Sequence, residues 1–156
     1  MAGRIVVGVD GSQASNDALS WALAEARLRG DTVIAIHAWT PPYQAATLAY
    51  PTSAAVPGGL VTPVDNGTAE AMRKGAEELL ARTVAEAAAD DVTVEQRLVE
   101  GPAASALIEA AQDAELLVVG SRGHGGFTGL LLGSVSQQVA NHAPCPVVIV
   151  RAENEG

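Results

Sequence analysis

The sequence is poor in the residues that bind metals or form disulfides. It has one cysteine, Cys145, and three histidines, His37, His124 and His142, among 156 residues. A single cysteine excludes an internal disulfide bond and a cysteine-rich metal site. So few histidines argue against a histidine-rich metal cluster. We therefore expect no metal held by protein side chains and interpret Cys145, between two prolines, as a structural residue.

Aromatic and basic residues are also scarce. Aromatics make up 3% of the chain, so the core must be aliphatic, and Trp21, Trp39 and His37 are interpreted as packing residues. Acidic residues outnumber basic ones 18 to 9, for a net charge of −9. An acidic chain with few basic residues is a poor candidate for binding nucleic acid or an anionic membrane surface. We expect neither partner.

Long hydrophobic runs are missing as well. No window reaches the roughly 18 consecutive apolar residues of a membrane span. The first ten residues carry one base and a short apolar run, without the longer stretch and cleavage site of a signal peptide. The expected location is the cytoplasm.

Several familiar catalytic motifs are absent. The only lysine, Lys74, is followed by Gly75, so there is no Walker phosphate loop. The first turn lacks G-x-G-x-x-G, and no G-x-S-x-G elbow occurs. Ser121 and His124 have no acid close enough in sequence to suggest a triad. The sequence offers no catalytic residue, and we do not expect an enzyme beyond slow ATP hydrolysis.

What the sequence does contain is an alternation of strand and helix patterns. Short β-branched runs predict strands, and apolar residues at helical spacing predict the helices between them. Consecutive strands separated by helices call for an open parallel sheet covered on both faces, an α/β fold. Residues 1–156 are expected to form one domain, interrupted by a long Pro- and Gly-rich loop at 40–66. The predicted strands span 4–9, 32–39, 92–99, 115–119 and 146–150; the predicted helices span 14–29, 68–89, 102–111 and 134–141, with Pro102 at a first helical position.

The strongest local signal is a glycine-rich stretch between the fourth strand and the last helix. It reads Gly120-x-x-Gly123, nine residues, then Gly133-Ser134. Glycines let backbone N–H groups approach a ligand closely, and a helix N-terminus favours a phosphate. Ser134 followed by Gln137 resembles a capping box. The alternative is that Ser134 only caps the helix and the glycines only turn the chain.

The distribution of charge favours an anion site in the same stretch. No Asp or Glu occurs between Leu116 and Ala152, whereas Arg122 and His124 lie within that window. Either side chain could contact a phosphate, and a solvated surface role is as compatible with the pattern. Asp10 ends the first strand, where its carboxylate could accept from a ribose or an adenine amino group. Its alternative role is an Asx turn before the next helix.

The chain resembles the universal stress proteins over nearly its whole length. The resemblance rests on Ile5-Val-Val-Gly-Val-Asp10-Gly-Ser12, Leu116-Leu-Val-Val-Gly120-Ser-Arg-Gly123, Gly133-Ser134-Val-Ser136 and Cys145-Pro-Val-Val-Ile-Val150. The nucleotide-binding members of that family carry G-x-x-G, nine residues, then G-S or G-T, and this sequence has the complete motif.

The resemblance implies an adenine nucleotide alpha hydrolase-like fold, with five parallel strands in the order 3-2-1-4-5. It also implies a homodimer through the C-terminal strand, 146–151, and ATP in the crevice at the strand ends, with Mg²⁺ carried on the phosphates. Asp10 would contact the ribose or adenine, and Ala38 would lie by the base with its backbone. The implied nucleotide-binding residues are Val9, Asp10, Ala38, Val119, Gly120, Arg122, Gly123, His124, Gly133, Ser134, Val135 and Ser136.

We expect a stress-response protein that binds ATP as a regulatory or stabilising ligand. Three other readings remain open at this point. The pocket could take cyclic AMP or another adenine nucleotide. The protein could be an interaction module with a vestigial pocket. It could also be an ATP-consuming transferase, which turnover above about one per second would support.

Overall fold

A computed structural model describes residues 2–41, 66–87, 90–122 and 132–152. Strands and helices alternate along this part of the chain. The strands are β1 (Arg4–Gly8), β2 (Thr32–Trp39), β3 (Val94–Glu100), β4 (Leu116–Gly120) and β5 (Val147–Val150). The helices are α1 (Gln13–Arg29), α2 (Asn66–Ala87), α3 (Ala103–Ala110), which a 3₁₀ turn at Ala111–Asp113 extends, and α4 (Ser134–His142).

The five strands form one parallel sheet in the order β3-β2-β1-β4-β5, as the family resemblance implies. From β1 the chain first builds outward through β2 and β3, then returns to the other side of β1 with β4 and β5. The direction of winding therefore reverses between β1 and β4. Crevices that bind ligands in such sheets lie beyond the carboxyl ends of the strands at this point.

Two apolar layers hold the sheet between the helices. Val7 packs in one layer with Leu19 of α1 and Leu80 of α2, and Val6 packs in the other with Leu107 of α3. Burying a side chain of this size contributes about 1.5–3 kcal/mol. Because β1 and β4 are covered on both faces, their sequences are continuous apolar runs rather than alternating ones.

Small residues bring α1 close to the sheet. Ala14, Ala18, Ala22 and Ala26 follow one another at four-residue spacing, and all four are buried. The helix ends at Gly30, whose φ of 73° is left-handed and whose N–H donates to the carbonyl of Ala26 at 2.8 Å. Glycine adopts this conformation without the steric penalty that other residues meet, which explains the end of the helix there.

Several predicted element bounds and one packing interpretation need correction. Strand β3 begins at Val94 rather than 92, because the carbonyl of Thr93 makes the first ladder bond, accepting from Val33 N–H at 3.0 Å. Pro102 is the N-cap of α3 and not its first helical residue, since its ψ of 136° is extended. Helix α2 begins at Asn66, inside the predicted loop. Trp21 is 36% exposed and is not a core residue.

Residues 42–65, which make up most of the predicted loop at 40–66, lie outside the described residues. Among the helices that the structure describes, none combines the length and the apolar character needed to cross a bilayer.

Candidate functional site

The turn after β1 is locked by its own side chains. One carboxylate oxygen of Asp10 accepts from the N–H of Ser12 at 2.8 Å, which makes an Asx turn, and Gly11 takes a φ of 83°. Ser12 is the N-cap of α1, and its hydroxyl accepts from Ser15 N–H at 3.2 Å. The buried hydroxyl of Ser15 in turn donates to the Ser12 carbonyl and accepts from the Asp10 N–H. The turn before α1 is therefore closed by its own side chains, and one amide of the first turn of α1, that of Ser15, is capped.

Gly120 has a steric reason to lack a side chain. A Cβ at this position would lie 2.7 Å from the carbonyl carbon and 2.9 Å from the carbonyl oxygen of Ala14. These are backbone atoms in the first turn of α1, so they cannot swing aside. The end of β4 thus touches the start of α1, so the turn at Asp10 and the end of β4 are neighbours at the edge of the sheet where a ligand crevice is expected.

The end of β4 also meets the start of α4. Ser121 N–H donates to the Val150 carbonyl of β5 at 2.8 Å, and the Ser121 carbonyl accepts from Gly133 N–H at 2.7 Å. The hydroxyl of Ser136 lies 3.0 Å from the carbonyl oxygens of both Ser121 and Gly133 and donates to them. These contacts bring together the two ends of the glycine-rich stretch.

Helix α4 begins at Ser134, as predicted, but its cap differs from the prediction. Its N-cap is Gly133, with φ −76° and ψ 171°, and Ser134 is the first helical residue. The predicted capping box of Ser134 and Gln137 is wrong, because the residue in the capping position has no hydroxyl to accept from the helix. The first intrahelical bond runs from Gln137 N–H to the Gly133 carbonyl. Helix geometry leaves the amides of Ser134, Val135 and Ser136 without an acceptor inside the helix.

The end of β2 forms the third part of the site. Val9 N–H donates to the Ile36 carbonyl at 2.8 Å, and Nδ1 of His37 lies 2.7 Å from the Val9 carbonyl oxygen, to which it donates. Ala38 is half-buried and lies opposite Val99 in the β2–β3 register. The structure therefore places Val9 and Ala38 at the same edge as Asp10. His37 bridges β2 to the end of β1 rather than only filling space.

The remaining predicted site residues divide into three groups. The side chain of Val119 is buried in the apolar layer with Leu107, so only its backbone can serve a ligand, and the half-buried side chain of Val135 packs against the same layer. Arg122 is half-buried directly after the end of β4. Gly123 and His124 lie outside the described residues. Within the residues that are described, no cluster of three or more His, Cys, Asp or Glu side chains could hold a metal ion.

Sequence reasoning did not identify the residues whose hydrogen bonds hold the elements of the site together. Ser15 and Ser121 line the hydrogen-bond network but make no motif, and His37 was interpreted as a packing residue. Ser12 alone carried a local signal, since Asp10-Gly11-Ser12 predicts a turn followed by a helix cap. The other roles depend on which carbonyls the strand register brings near, and that is visible only in three dimensions.

Comparisons with known proteins agree on one family. A family model described as the universal stress protein family matches residues 1–151. A universal stress protein of Mycolicibacterium smegmatis is 38% identical over 149 residues, covering 94% of this chain and 45% of its own length. The chain spans about half the length of the curated relatives it matches.

Solved structures show the same fold. A universal stress protein crystallised in complex with cAMP is 30% identical, with a TM-score of 0.59 over 97% of this chain and 98% of its own. A universal stress protein from Archaeoglobus fulgidus in complex with dAMP covers 95% of this chain and 97% of its own, with a TM-score of 0.53. At 23% identity, that second likeness concerns the fold alone.

Proposed function

The chain belongs to the universal stress protein family, and from that premise we propose that it binds ATP in the crevice between β1 and β4. ATP would act as a regulatory or stabilising ligand of a homodimer. The proposal concerns the part of the molecule described above, since the curated relatives are about twice as long.

The start of α4 is the observation that carries this proposal. Three backbone amides there have no acceptor inside the helix, and the N-cap is a glycine without a side-chain oxygen. The helix dipole adds partial positive charge at the same end. A phosphate satisfies both requirements at once, because its oxygens accept hydrogen bonds and carry negative charge.

The nucleoside would lie on the other side of the crevice. Asp10 is half-buried and its turn is locked, so its carboxylate is held at the strand end where a ribose or an adenine amino group would lie. The backbone of Ala38 closes that end next to the base. Gly120, packed on Ala14, lets α1 and β4 meet below the ribose. Gly123 and His124 complete the proposed set.

Adenine specificity is supported by relatives. The solved neighbour that is 30% identical carries cAMP, and another carries dAMP, so adenine nucleotides are the ligands associated with this fold in those proteins. The cAMP complex makes cyclic AMP the second candidate ligand. We favour ATP because a chain of phosphates can engage the open amides of α4 while the base stays near Ala38.

Mg²⁺ would arrive with the phosphates. This ion usually keeps several waters and is bound through substrate phosphates and one or two carboxylates. The described part of the site supplies mainly amides and hydroxyls, which fits binding of the phosphates more than orientation of an attacking water. We therefore propose that turnover is slow, well below about one per second.

The homodimer is proposed through β5. This strand ends the sheet, its four residues are apolar and half-buried, and its pairing in the described structure is with β4 alone. An unpaired apolar strand edge is a template for another strand. Sedimentation should give twice the chain mass, and Ile149→Pro should give the monomer, because proline removes a ladder donor.

The cytoplasmic location stays a prediction.

The test of ATP binding is calorimetric titration of the wild-type protein with ATP, ADP, AMP, cyclic AMP and, as a control, GTP. We expect ATP to bind at micromolar to sub-millimolar concentration and more tightly than GTP. A tighter fit for cyclic AMP would replace ATP by the second candidate. No heat and no thermal shift with any adenine nucleotide would leave an interaction module with a vestigial pocket.

A charge-matched pair of variants locates the phosphates. Ser134→Glu puts a carboxylate at the first exposed position of α4, where it occupies and repels the anion site. Gln138→Glu adds the same charge to an exposed position one turn later. We expect the first to weaken ATP binding by about tenfold or more, an energy of about 1.4 kcal/mol, and the second to change it little. Equal effects would place the phosphates elsewhere.

A further inference from the structure

We infer that Ser136 is a positioning residue for nucleotide binding and not a phosphate ligand. Its buried hydroxyl clamps the first turn of α4 to the end of β4 and so sets where the amides of that turn point. This inference rests on the proposed function and assigns Ser136 a different role from the one the family resemblance implies.

The hydroxyl of Ser136 is already committed. It lies 3.0 Å from the carbonyl oxygens of Ser121 and Gly133, and the residue is 2% exposed. A serine hydroxyl has one hydrogen to donate, and phosphate oxygens at neutral pH need donors. Because the hydrogen of Ser136 is directed at backbone carbonyls, contact with a phosphate would require breaking this clamp.

The clamp joins two points that are far apart in sequence. Ser136 and Ser121 are 15 residues apart, and the Ser121 carbonyl accepts both from Gly133 N–H and from the Ser136 hydroxyl. Ser121 is itself 1% exposed, and its N–H is tied to Val150 of β5 at 2.8 Å. Ser121 is therefore fixed to the sheet, and the hydrogen bond from the Ser136 hydroxyl fixes the first turn of α4 to Ser121.

Loss of the Ser136 hydroxyl should make the orientation of the first turn of α4 less fixed without unfolding the protein. The bond from Gly133 N–H to Ser121 would remain, and so would the packing of Val139 in the core. The amides of Ser134 and Val135 would then sample more orientations. A preorganised donor set loses affinity when it must be ordered at the moment of binding.

The experiment compares Ser136→Ala with Ser136→Thr and with a matched control in another helix. Thr83 of α2 is also buried at 9% exposure, and its hydroxyl donates to the Leu79 carbonyl at 2.7 Å. Thr83→Val removes that hydroxyl while keeping the shape of the side chain. Helix α2 packs over β2 and β3, so this control measures a lost buried hydroxyl away from α4.

We expect Ser136→Ala to weaken ATP binding about tenfold and adenosine binding by less than about twofold, because only the phosphate end depends on α4. Thr83→Val should bind both as the wild type does. Ser136→Thr keeps the donor and should restore ATP affinity to within about threefold. In the nucleotide-free protein, the Gly133 amide should exchange with deuterium about tenfold faster in Ser136→Ala.

Three results would overturn the inference. Ser136→Ala could bind ATP as tightly as the wild type, or Thr83→Val could weaken ATP binding as much. Unchanged exchange at Gly133 together with weak ATP binding would make Ser136 a direct ligand. Failure of the wild-type protein to bind any adenine nucleotide is a different result: it overturns the proposed function and, with it, this role for Ser136.

Discussion

Two helices begin at the same edge of the sheet, and they begin in opposite ways. Helix α1 is capped by the hydroxyl of Ser12, and the preceding turn is closed by Asp10. Helix α4 has Gly133 in the capping position, and the buried hydroxyl in its first turn, on Ser136, donates away from the helix amides to carbonyls. The first helix start has one amide, that of Ser15, capped by a side chain, whereas the second has no side-chain cap and leaves the amides of Ser134, Val135 and Ser136 without an acceptor inside the helix.

The difference teaches that a polar residue near a helix start is not by itself a cap. It is a cap only when its side-chain oxygen accepts a hydrogen bond from a backbone N–H of the helix. A hydroxyl that donates its hydrogen to backbone carbonyls, as Ser136 does, is not one. Helix α3 also lacks a side-chain cap at Pro102, but it follows the edge strand β3 and not the point where winding reverses. An open helix start becomes a site only where other walls of a crevice meet it.

The contact between the end of β4 and the start of α1 should be the most sensitive to change. Gly120→Ala would place a methyl group against the backbone of Ala14 and should lower the free energy of unfolding by about 1–3 kcal/mol. The control is Gly75→Ala in α2, where nothing lies within 4 Å, and which should raise stability by about 0.5–1 kcal/mol. Urea denaturation of both variants measures this, and similar effects of the two would contradict the close contact.

A cap can be given to α4 to make it resemble α1. Gly133→Asp supplies an oxygen that accepts from the first turn and places a negative charge at the helix start. We expect ATP affinity to fall about tenfold or more while stability holds or rises by a few tenths of a kcal/mol. Gly133→Ala, which adds a Cβ without an acceptor, is the control for steric effects. ATP binding by the aspartate variant at wild-type strength would mean that these amides do not hold the phosphates.

The reverse change removes the cap from α1. Ser12→Ala deletes the acceptor for Ser15 N–H and should cost about 1 kcal/mol of stability. Thermal unfolding should show a lower midpoint, and Ser12→Gly should recover most of it. The ratio of ATP to adenosine affinity should stay constant, because the proposed binding mode puts the nucleoside, and not the phosphates, at this end of α1. A selective loss of ATP affinity would place the phosphates at α1 instead.

The C-terminal end of α1 should contribute least to stability. Arg27 and Asp91 form an exposed ion pair, with Arg27 Nε 2.5 Å from a carboxylate oxygen, and the hydrogen bond from Arg27 holds the pKa of Asp91 below its usual range. A lowered pKa stabilises the fold above the unfolded value of about 3.9, and the effect disappears as pH falls through the folded value.

Asp91→Asn should therefore change the denaturation midpoint only slightly at neutral pH and low salt. The difference from the wild type should vanish in strong acid and at high salt. A large or salt-independent difference would contradict our conclusion that the C-terminal end of α1 contributes less to stability than its N-terminal end.

The fold was predictable because burial on both faces imposes apolar runs that a single sequence displays. The apolar strand runs around Val6 and Val118 could be identified from the local sequence alone. The same holds for the glycines that end helices and turns. The order of the strands came from the family resemblance, and the structure confirms it. The start of α4 at Ser134 was also predicted correctly.

The site was less predictable, because its polar groups act through distant carbonyls. Ser134 and Ser136 look equally suited to a phosphate in the sequence, yet Ser134 is exposed and Ser136 is turned inward to Ser121. Gly120 looked like a ligand-binding glycine, while its packing against Ala14 gives it a structural reason to lack a side chain. The bond from His37 to Val9 depends on strand register, which no local pattern encodes.

The four alanines of α1 act as a spacer of fixed thickness. Since each one is buried against the sheet, any longer side chain at Ala14, Ala18, Ala22 or Ala26 would lift the helix away from the strands. Lifting would open a gap beneath Gly120 and tilt the turn that carries Asp10. The smallest side chains in the helix thereby set the distance between α1 and β4 beside the proposed site, although none of them needs to touch a ligand.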